Sequence, residues 1–578
     1  MRHGWCVSGR IGWKDTVLHP DRGISNALGL APGLTIACLV IPVIAGAIWT
    51  VLPAFEGGLA SFAYVLNWPG FARSLWLSVK TGLVSTFLAV ALTLALIASI
   101  HGTAAFRWVQ TGLAPLLSVP HAAAALGLAF LIAPSGWIMR LVSPWLTGLT
   151  TPPDLLILND PGGWSLIFGL VAKEIPFLLL MAIAALPQTE SRRRLMQAQT
   201  FGASKTAAFV ICVWPSLYRQ LRIPVFAVLV YAVTAVEMAM ILGPSLPPSL
   251  PVQIVLWMTD ASLAHRTTAA AAVVIQTGAV VGVCGLWVGL ERLFSRLLRR
   301  LAIQGWRGPV VDRLAKGLGL PVTCLLGLAM AMGLLGLLVW SVAGLWQFPD
   351  AFPASISLKT WARAGDSLFH AATQTALIAF LACGIALVLV VACLETEQRT
   401  GRAPGSWAIL ALYLPLLVPQ IAFVPGLQHL ALLTSLQGNW VAVASAHLVF
   451  VLPYVFLSLS DPYRAWDPRI AQTAASLGAT PARVFWRLRL PMLLRPVLTA
   501  FAVGFAVSIG QYLPTLLIGG GRVSTVTTEA VALSSGGNRR LIGAYASLQM
   551  LLPMLAFALA LVVPAIAFRH RRGMGAVK

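Results

Sequence analysis

The sequence predicts an all-α polytopic membrane protein of about twelve transmembrane helices, arranged as two homologous six-helix halves. Three observations predict it. Of 578 residues, 58% are apolar and only 10% charged, whereas a soluble domain carries roughly 25% charged residues. Such a chain cannot cover its own surface with polar groups, so lipid must be its solvent. Apolar windows of bilayer length recur along the whole chain, and one short Gly-centred segment recurs at a fixed offset. The 40 Lys+Arg against 18 Asp+Glu leave a net charge of +22. That charge raises nucleic-acid binding as a function class, but such proteins gather their basic residues on one solvated face.

A helix needs about 20 mostly apolar residues to cross a hydrocarbon core of about 30 Å. After a polar start at 1–29, which carries Arg2, Arg10, Lys14 and Arg22, windows fall near 30–52, 74–99, 108–133, 164–187, 222–243 and 268–290. A second set falls near 320–346, 367–393, 406–432, 440–460, 496–519 and 543–568. The stretch 136–150 is apolar but short and broken by Arg140 and Pro144, which suits an interfacial segment. Pro115 and Pro120 in the third window and Pro415 and Pro419 in the ninth remove backbone donors and kink their helices.

Lys and Arg are retained on the cytoplasmic side of a membrane. With the N-terminus inside, the inner segments hold 30 of the 40 basic residues and the outer segments 8. Both termini are therefore expected in the cytoplasm, and the charge is spent on topology, so no nucleic-acid partner is expected. The expected units are a cytoplasmic segment 1–29, a first transmembrane domain 30–292, a basic linker 293–319, a second transmembrane domain 320–568 and a cytoplasmic tail 569–578. The linker, basic and partly amphipathic, is expected to lie along the anionic inner leaflet. The seven Cys fall mostly in apolar runs without a CxxC pair or a Cys/His cluster, so no metal site is expected and they read as small buried hydrophobes.

The repeat lies at an offset of 276. Residues 196–215 align without gaps on 472–491, and Ala198/Ala474, Gly202/Gly478, Ala203/Ala479, Phe209/Phe485 and Pro215/Pro491 are identical. Both copies are expected on the cytoplasmic face. Gly ends a first short helix in the left-handed conformation, and Ser204 or Thr480 caps a second, which Pro481 opens at the favoured first position in the second copy. Pro215 and Pro491 are expected to close that second helix before the following span. Weaker echoes pair Pro115, Pro120 and Gly127 with Pro415, Pro419 and Gly426 at offsets of 299 to 300.

This spacing of Gly, apolar residues and Pro resembles the EAA loop of the inner-membrane permeases of binding-protein-dependent ABC importers. Because the loop occurs twice, the chain resembles a fused, two-domain permease of the ferric-iron and thiamine type. The stretch from Gln511 to Ala530 is similar to a fused permease subgroup of Gram-negative bacteria. The family's opening Glu is Met196 in one copy and Gln472 in the other. The resemblance implies two cytoplasmic ABC ATPase subunits carrying ATP and Mg, a periplasmic substrate-binding protein, a small-molecule or ion substrate, and a place in a bacterial inner membrane. It implies that Gly202–Pro215 and Gly478–Pro491 dock on the ATPase, with Phe209 and Phe485 as anchors.

The chain itself lacks the phosphate-binding loop GxxxxGK[ST], so no ATP-binding or catalytic residue and no cofactor is expected in it. Leu533–Asn538 is a coincidental likeness to an ABC signature. Ionisable groups at membrane depth mark a substrate path. Glu237 is the foremost of these, with Lys80, Lys173 and Glu174 beside it and the neutral Gln511 at a nearby depth in the second half. A proton- or ion-coupled secondary transporter with six plus six helices is the competing class.

Overall fold

The computed structural model describes residues 22–56, 58–109, 119–262 and 264–569. Pro115, the front of the third window, most of the N-terminal segment and nearly all of the C-terminal tail lie outside the described residues. Among the described residues, ten helices are long and apolar enough to cross a membrane, or up to twelve if two bent pairs each count as one span. The architecture is all-α, and every window expected from hydropathy has a helical counterpart.

Each half is built on a three-helix core. Phe71–Ile100, Trp164–Ala185 and Trp214–Thr234 pack on one another in the first half, as do Gly365–Thr400, Trp440–Arg464 and Leu494–Ile509 in the second. The core face of Phe71–Ile100 is a run of small hydroxyl residues, Ser74, Ser78, Thr81, Ser85, Thr86 and Thr93, all buried. Apolar burial drives no association inside lipid, so close backbone approach and interhelical hydrogen bonds hold such contacts. The same device recurs at the short helices Leu250–Thr259 and Val526–Leu533. The Leu250 amide donates to Ser78 Oγ at 3.0 Å, and the Val526 amide donates to Thr375 Oγ1 at 3.0 Å.

The first helix of each half is exchanged onto the other. Arg22–Val51 packs along Gln420–Leu433, and Leu320–Val342 packs along His121–Ile132. Glycine permits both crossings. A Cβ on Gly426 would lie 1.9 Å from the Gly46 carbonyl oxygen, and one on Gly333 would lie 2.7 Å from the Gly127 carbonyl. At the first crossing Thr50 Oγ1 accepts from the Gly426 amide and donates to the Gly46 carbonyl, both at 2.7 Å. The two halves are thereby interlocked rather than laid side by side.

Several expectations are corrected. The fifth and eleventh windows are not single helices. The fifth stops at Thr234 and restarts at Glu237–Leu242, and the eleventh stops at Ile509 and restarts at Leu513–Gly519. Hydropathy is blind to these breaks because Ala235 and Val236 are themselves apolar, and Gly510, Gln511 and Tyr512 are too few to interrupt the apolar window around them. The ninth window bends by 90° between Ser406–Leu417 and Gln420–Leu433, at Pro419. Helix Ala264–Ile303 runs well past residue 292, and the linker beyond it folds onto the first repeated loop.

Candidate functional site: two duplicated bends and a central crossing

Both repeated segments fold as the expected helix–turn–helix. In the first, Ser191–Thr200 ends at Phe201 and Gly202 takes φ +80°; in the second, Pro468–Ser476 ends at Leu477 and Gly478 takes φ +79°. The hydrogen bonds that close the bend are duplicated. The Ala203 amide donates to the Ala198 carbonyl at 3.3 Å, and the Ala479 amide donates to the Ala474 carbonyl at 2.9 Å. Ser204 Oγ accepts from the Ala207 amide and Thr480 Oγ1 from the Arg483 amide, each at 3.3 Å. A Cβ at either glycine would meet the left-handed penalty, which fixes the residue type.

A π-turn follows in both copies, over Phe209–Val213 and Phe485–Arg489. The wider turn precedes Pro215 and Pro491, where a missing amide would otherwise leave an α-turn with a clash and no donor. In the first copy the helix continues through Pro215 into the span, making one apolar helix from Lys205 to Thr234. Pro215 therefore does not close the loop helix. In the second copy Leu493 interrupts the path, and the segments on either side are bent by 70°.

The aromatic pair differs from expectation. Phe209 is 1% exposed, with its ring 5.9 Å from that of His101; it is a packing residue and presents nothing to a partner. Burial and the nearby Lys205 ammonium hold the His101 imidazole below its usual pKa, which favours the neutral ring that this apolar contact needs. Phe485 is half-buried beside Trp486, centroids 4.9 Å apart. The outward residues are Phe201 and Leu477, 83% and 82% exposed and related by the same offset. Their position immediately before the left-handed glycine was the available signal, since the bend turns the preceding side chain out.

Where the two halves cross, their helix breaks meet. Glu237, 9% exposed, opens the short helix after the break at Ala235–Val236 and accepts from the Tyr231 hydroxyl at 2.9 Å. Tyr512, in the matching break of the second half, donates to Met240 Sδ at 3.5 Å. Gln420 Nε2 lies 3.4 Å from Gln511 Oε1. His121, at the first position after Pro120, lies 4.6 Å from the Tyr231 ring and 3.7 Å from Glu174 Oε1. Glu237, Gln511 and Glu174 are thus brought to one crossing, together with His121, Tyr231, Gln420 and Tyr512, which the sequence reading did not select. His121 and Gln420 each follow a proline that stands immediately before a helix, and that position was their signal.

Lys80 does not join this group. Its ammonium donates to the Gly162 carbonyl at 2.9 Å and sits 4.3 Å over the Trp164 ring, so its charge is spent on the loop before the fourth span. Lys173 turns back to the Val119 carbonyl. No group of three or more His, Cys, Asp or Glu suited to a metal occurs among the described residues.

Broken spans meeting at the centre of two interlocked halves, with a duplicated bend on one face, define a membrane permease built as an internal repeat. The chain belongs to the family of binding-protein-dependent transport system inner membrane components, whose description matches residues 398–570. It is 30% identical over 542 residues to the inner membrane ABC transporter permease protein YnjC of Escherichia coli (strain K12), covering 93% of this chain and 97% of that protein. It is 32% identical over 170 residues to the molybdenum transport system permease protein ModB of Mycobacterium bovis, covering 28% of this chain and 63% of that one. Against the spermidine/putrescine transport system permease protein PotC of Haemophilus influenzae it is 24% identical over 201 residues, covering 34% and 75%. The family places the chain in the inner membrane as a multi-pass transport subunit, and these relatives are named as transport permeases.

Proposed function

We propose that this one chain forms the whole translocation path of an ABC importer, with both termini in the cytoplasm. Two ATPase subunits, which carry the ATP and Mg, engage the bends at Gly202 and Gly478. A periplasmic binding protein delivers a small solute to the outer face. The single observation that carries this reading is the bend built twice with the same hydrogen bonds, each copy leading through a π-turn toward a span that breaks at the central crossing. In the first half the connection is one unbroken helix from Lys205 to Thr234, so displacement of the bend arrives at Glu237. Closure of the ATPase pair would draw the two bends together and reopen the crossing toward the other side.

Relatives named for molybdenum and for spermidine or putrescine match over similar shares of the chain. The cargo assigned by this reading is accordingly a small solute delivered by its binding protein, the ferric-iron and thiamine types included, and it passes Glu237 and Gln511.

The test is reconstitution of the full chain in proteoliposomes with the ATPase and binding protein encoded beside it. ATP hydrolysis is expected to rise when the loaded binding protein is added, and to be indifferent to collapse of the proton gradient. Hydrolysis-independent uptake that an uncoupler abolishes would instead identify a secondary transporter.

A further inference from the structure

The two bends are duplicated in backbone but not in surroundings. Beyond Ile303 the linker turns at Gly305 and runs over the first bend. The Ser204 amide donates to the Arg307 carbonyl at 3.0 Å, and Ser204 Oγ donates to the Gly308 carbonyl at 3.3 Å. Thr206 Oγ1 donates to Asp312 Oδ1 at 2.6 Å, and Lys316 Nζ holds the other oxygen of that carboxylate at 2.9 Å. Gly308, at φ +60°, is pressed so close that a Cβ there would lie 2.6 Å from Ala207 Cβ. These contacts join the linker to the cap and first turn of the loop's second helix.

The linker also places a side chain at the tip. Arg307 is exposed, and its Nε and Cζ lie 3.4 Å and 3.6 Å from where a Gly202 Cβ would stand, next to the protruding Phe201. Among the described residues Arg307 has no carboxylate within ion-pair distance. Among the described residues the second bend has no counterpart: nothing lies within 4 Å of a Cβ on Gly478, and Leu477 protrudes from it.

We propose that the linker is part of the docking surface for the ATPase subunit that engages the first half. The Arg307 guanidinium pairs with a carboxylate on that subunit beside the pocket that takes Phe201. This rests on the ABC-importer reading and deepens it. The surface is continuous with the bend that reading assigns to docking, and an exposed aromatic beside an unspent guanidinium is the composition that interface anchors favour. The two docking sites on the chain are then unequal: one is partly made by the linker, which sets Arg307 beside Phe201, and the other, among the described residues, is made by its own loop, where Leu477 and Trp486 are exposed.

The test is co-expression of the full chain with the cognate ATPase subunit, purification through a tag on the permease, and measurement of ATPase retained at 150 and 500 mM salt. Arg307→Glu is expected to weaken retention by about 3–10-fold at the lower salt, as for an interfacial charge pair. The difference from wild type should narrow at the higher salt, where exposed charges are screened. Arg307→Lys is expected to restore most of the binding. Membrane yield and melting temperature of Arg307→Glu should match wild type, because the strap is made by the Arg307 carbonyl and not its side chain. Leu477→Asp serves as the control for the second site. Weakened retention in Leu477→Asp together with unchanged retention in Arg307→Glu overturns the linker's part in docking while leaving the importer reading standing. Unchanged retention in both Phe201→Asp and Leu477→Asp, or no ATPase retained by the wild type, overturns the docking role of the bends and this inference with it.

Discussion

Arg489 donates to the Glu395 carboxylate from within the π-turn of the second repeated bend, and both side chains are buried, 7% and 3% exposed. The same carboxylate accepts from the Tyr463 hydroxyl at 2.6 Å and from Arg399 Nε at 2.7 Å. Arg489 also lies 4.5 Å over the Trp466 ring. The second bend is thus tied to helix Gly365–Thr400 by a charge pair. At the matching position of the first half, Val213 is fully buried, and the first bend is held by the Phe209 packing and the linker.

Removing one partner of a buried charge pair leaves the other uncompensated, at a cost of roughly 3–5 kcal/mol, whereas replacing both with apolar residues is often nearly neutral. Glu395→Gln is expected to lower the melting temperature of the purified chain strongly. The double variant Glu395→Leu, Arg489→Met should recover much of that loss. If ATP hydrolysis by ATPase subunits assembled on the recovered protein no longer follows binding-protein addition, the pair carries coupling as well as stability.

The glycine crossings make a second, graded prediction. At Gly426 a Cβ would overlap a carbonyl oxygen, while at Gly127 its nearest neighbour is 2.9 Å away. Gly426→Ala should therefore destabilise more than Gly127→Ala, with both in the range of about 1–3 kcal/mol typical of overpacking. Gly285, in the middle of helix Ala264–Ile303 with nothing within 4 Å of its Cβ position, is the control: Gly285→Ala should leave stability unchanged or raise it slightly. Thermal unfolding in one detergent ranks the three.

Hydropathy and the cytoplasmic bias of Lys and Arg made the spans legible in the sequence, and the gapless repeat exposed the bends with Ala198, Gly202, Ser204, Ala474, Gly478 and Thr480 in their working positions. The reason is local: a left-handed glycine followed by a cap is written in adjacent residues. The breaks at Ala235–Val236 and Gly510–Tyr512 were not legible, because Ala and Val read alike whether helical or unwound and a single Gln511 does not end the apolar window around it. Phe209 misled for a related reason. Its identity with Phe485 marks a shared place in the π-turn, and whether an aromatic there faces inward depends on His101, more than a hundred residues earlier. The linker's grip on Ser204 and Thr206 is likewise tertiary and leaves no periodic trace.

On the proposed docking of the bends, the exposed Phe201 and Leu477 are the contact residues. Phe201→Asp, Leu477→Asp is expected to insert normally and to lose most of the uptake coupled to ATP hydrolysis, since a charge must then enter an apolar pocket. Phe209→Asp instead buries a carboxylate against His101 and should lower the amount of folded protein in the membrane. Comparing membrane yield with transport per folded molecule separates the two effects; equal folding losses in both variants would contradict the division.

Asp160 provides a pH-dependent prediction outside the membrane spans. It stands four residues before helix Trp164–Ala185, and its carboxylate accepts from the Trp164 amide at 2.8 Å, the Ser165 amide at 2.9 Å and the Ser165 hydroxyl at 2.8 Å. Burial alone would raise the pKa, but the hydrogen bonds from Ser165, Trp164 and Gly162 prevail and hold the carboxyl below its ordinary value. A group whose pKa is depressed by folding stabilises the fold fully above the unfolded pKa, about 3.9, and loses that contribution as pH falls through the folded value. Asp160→Ala is therefore expected to cost about 1 kcal/mol at pH 7, the usual worth of a helix cap, and Asp160→Asn distinctly less because an acceptor remains. The gap between wild type and Asp160→Ala should stay constant from pH 7 to about pH 5 and then shrink below pH 4, measured by thermal unfolding across that range. A gap that persisted unchanged at pH 3 would show that the carboxylate's charge contributes nothing to holding the start of the fourth span.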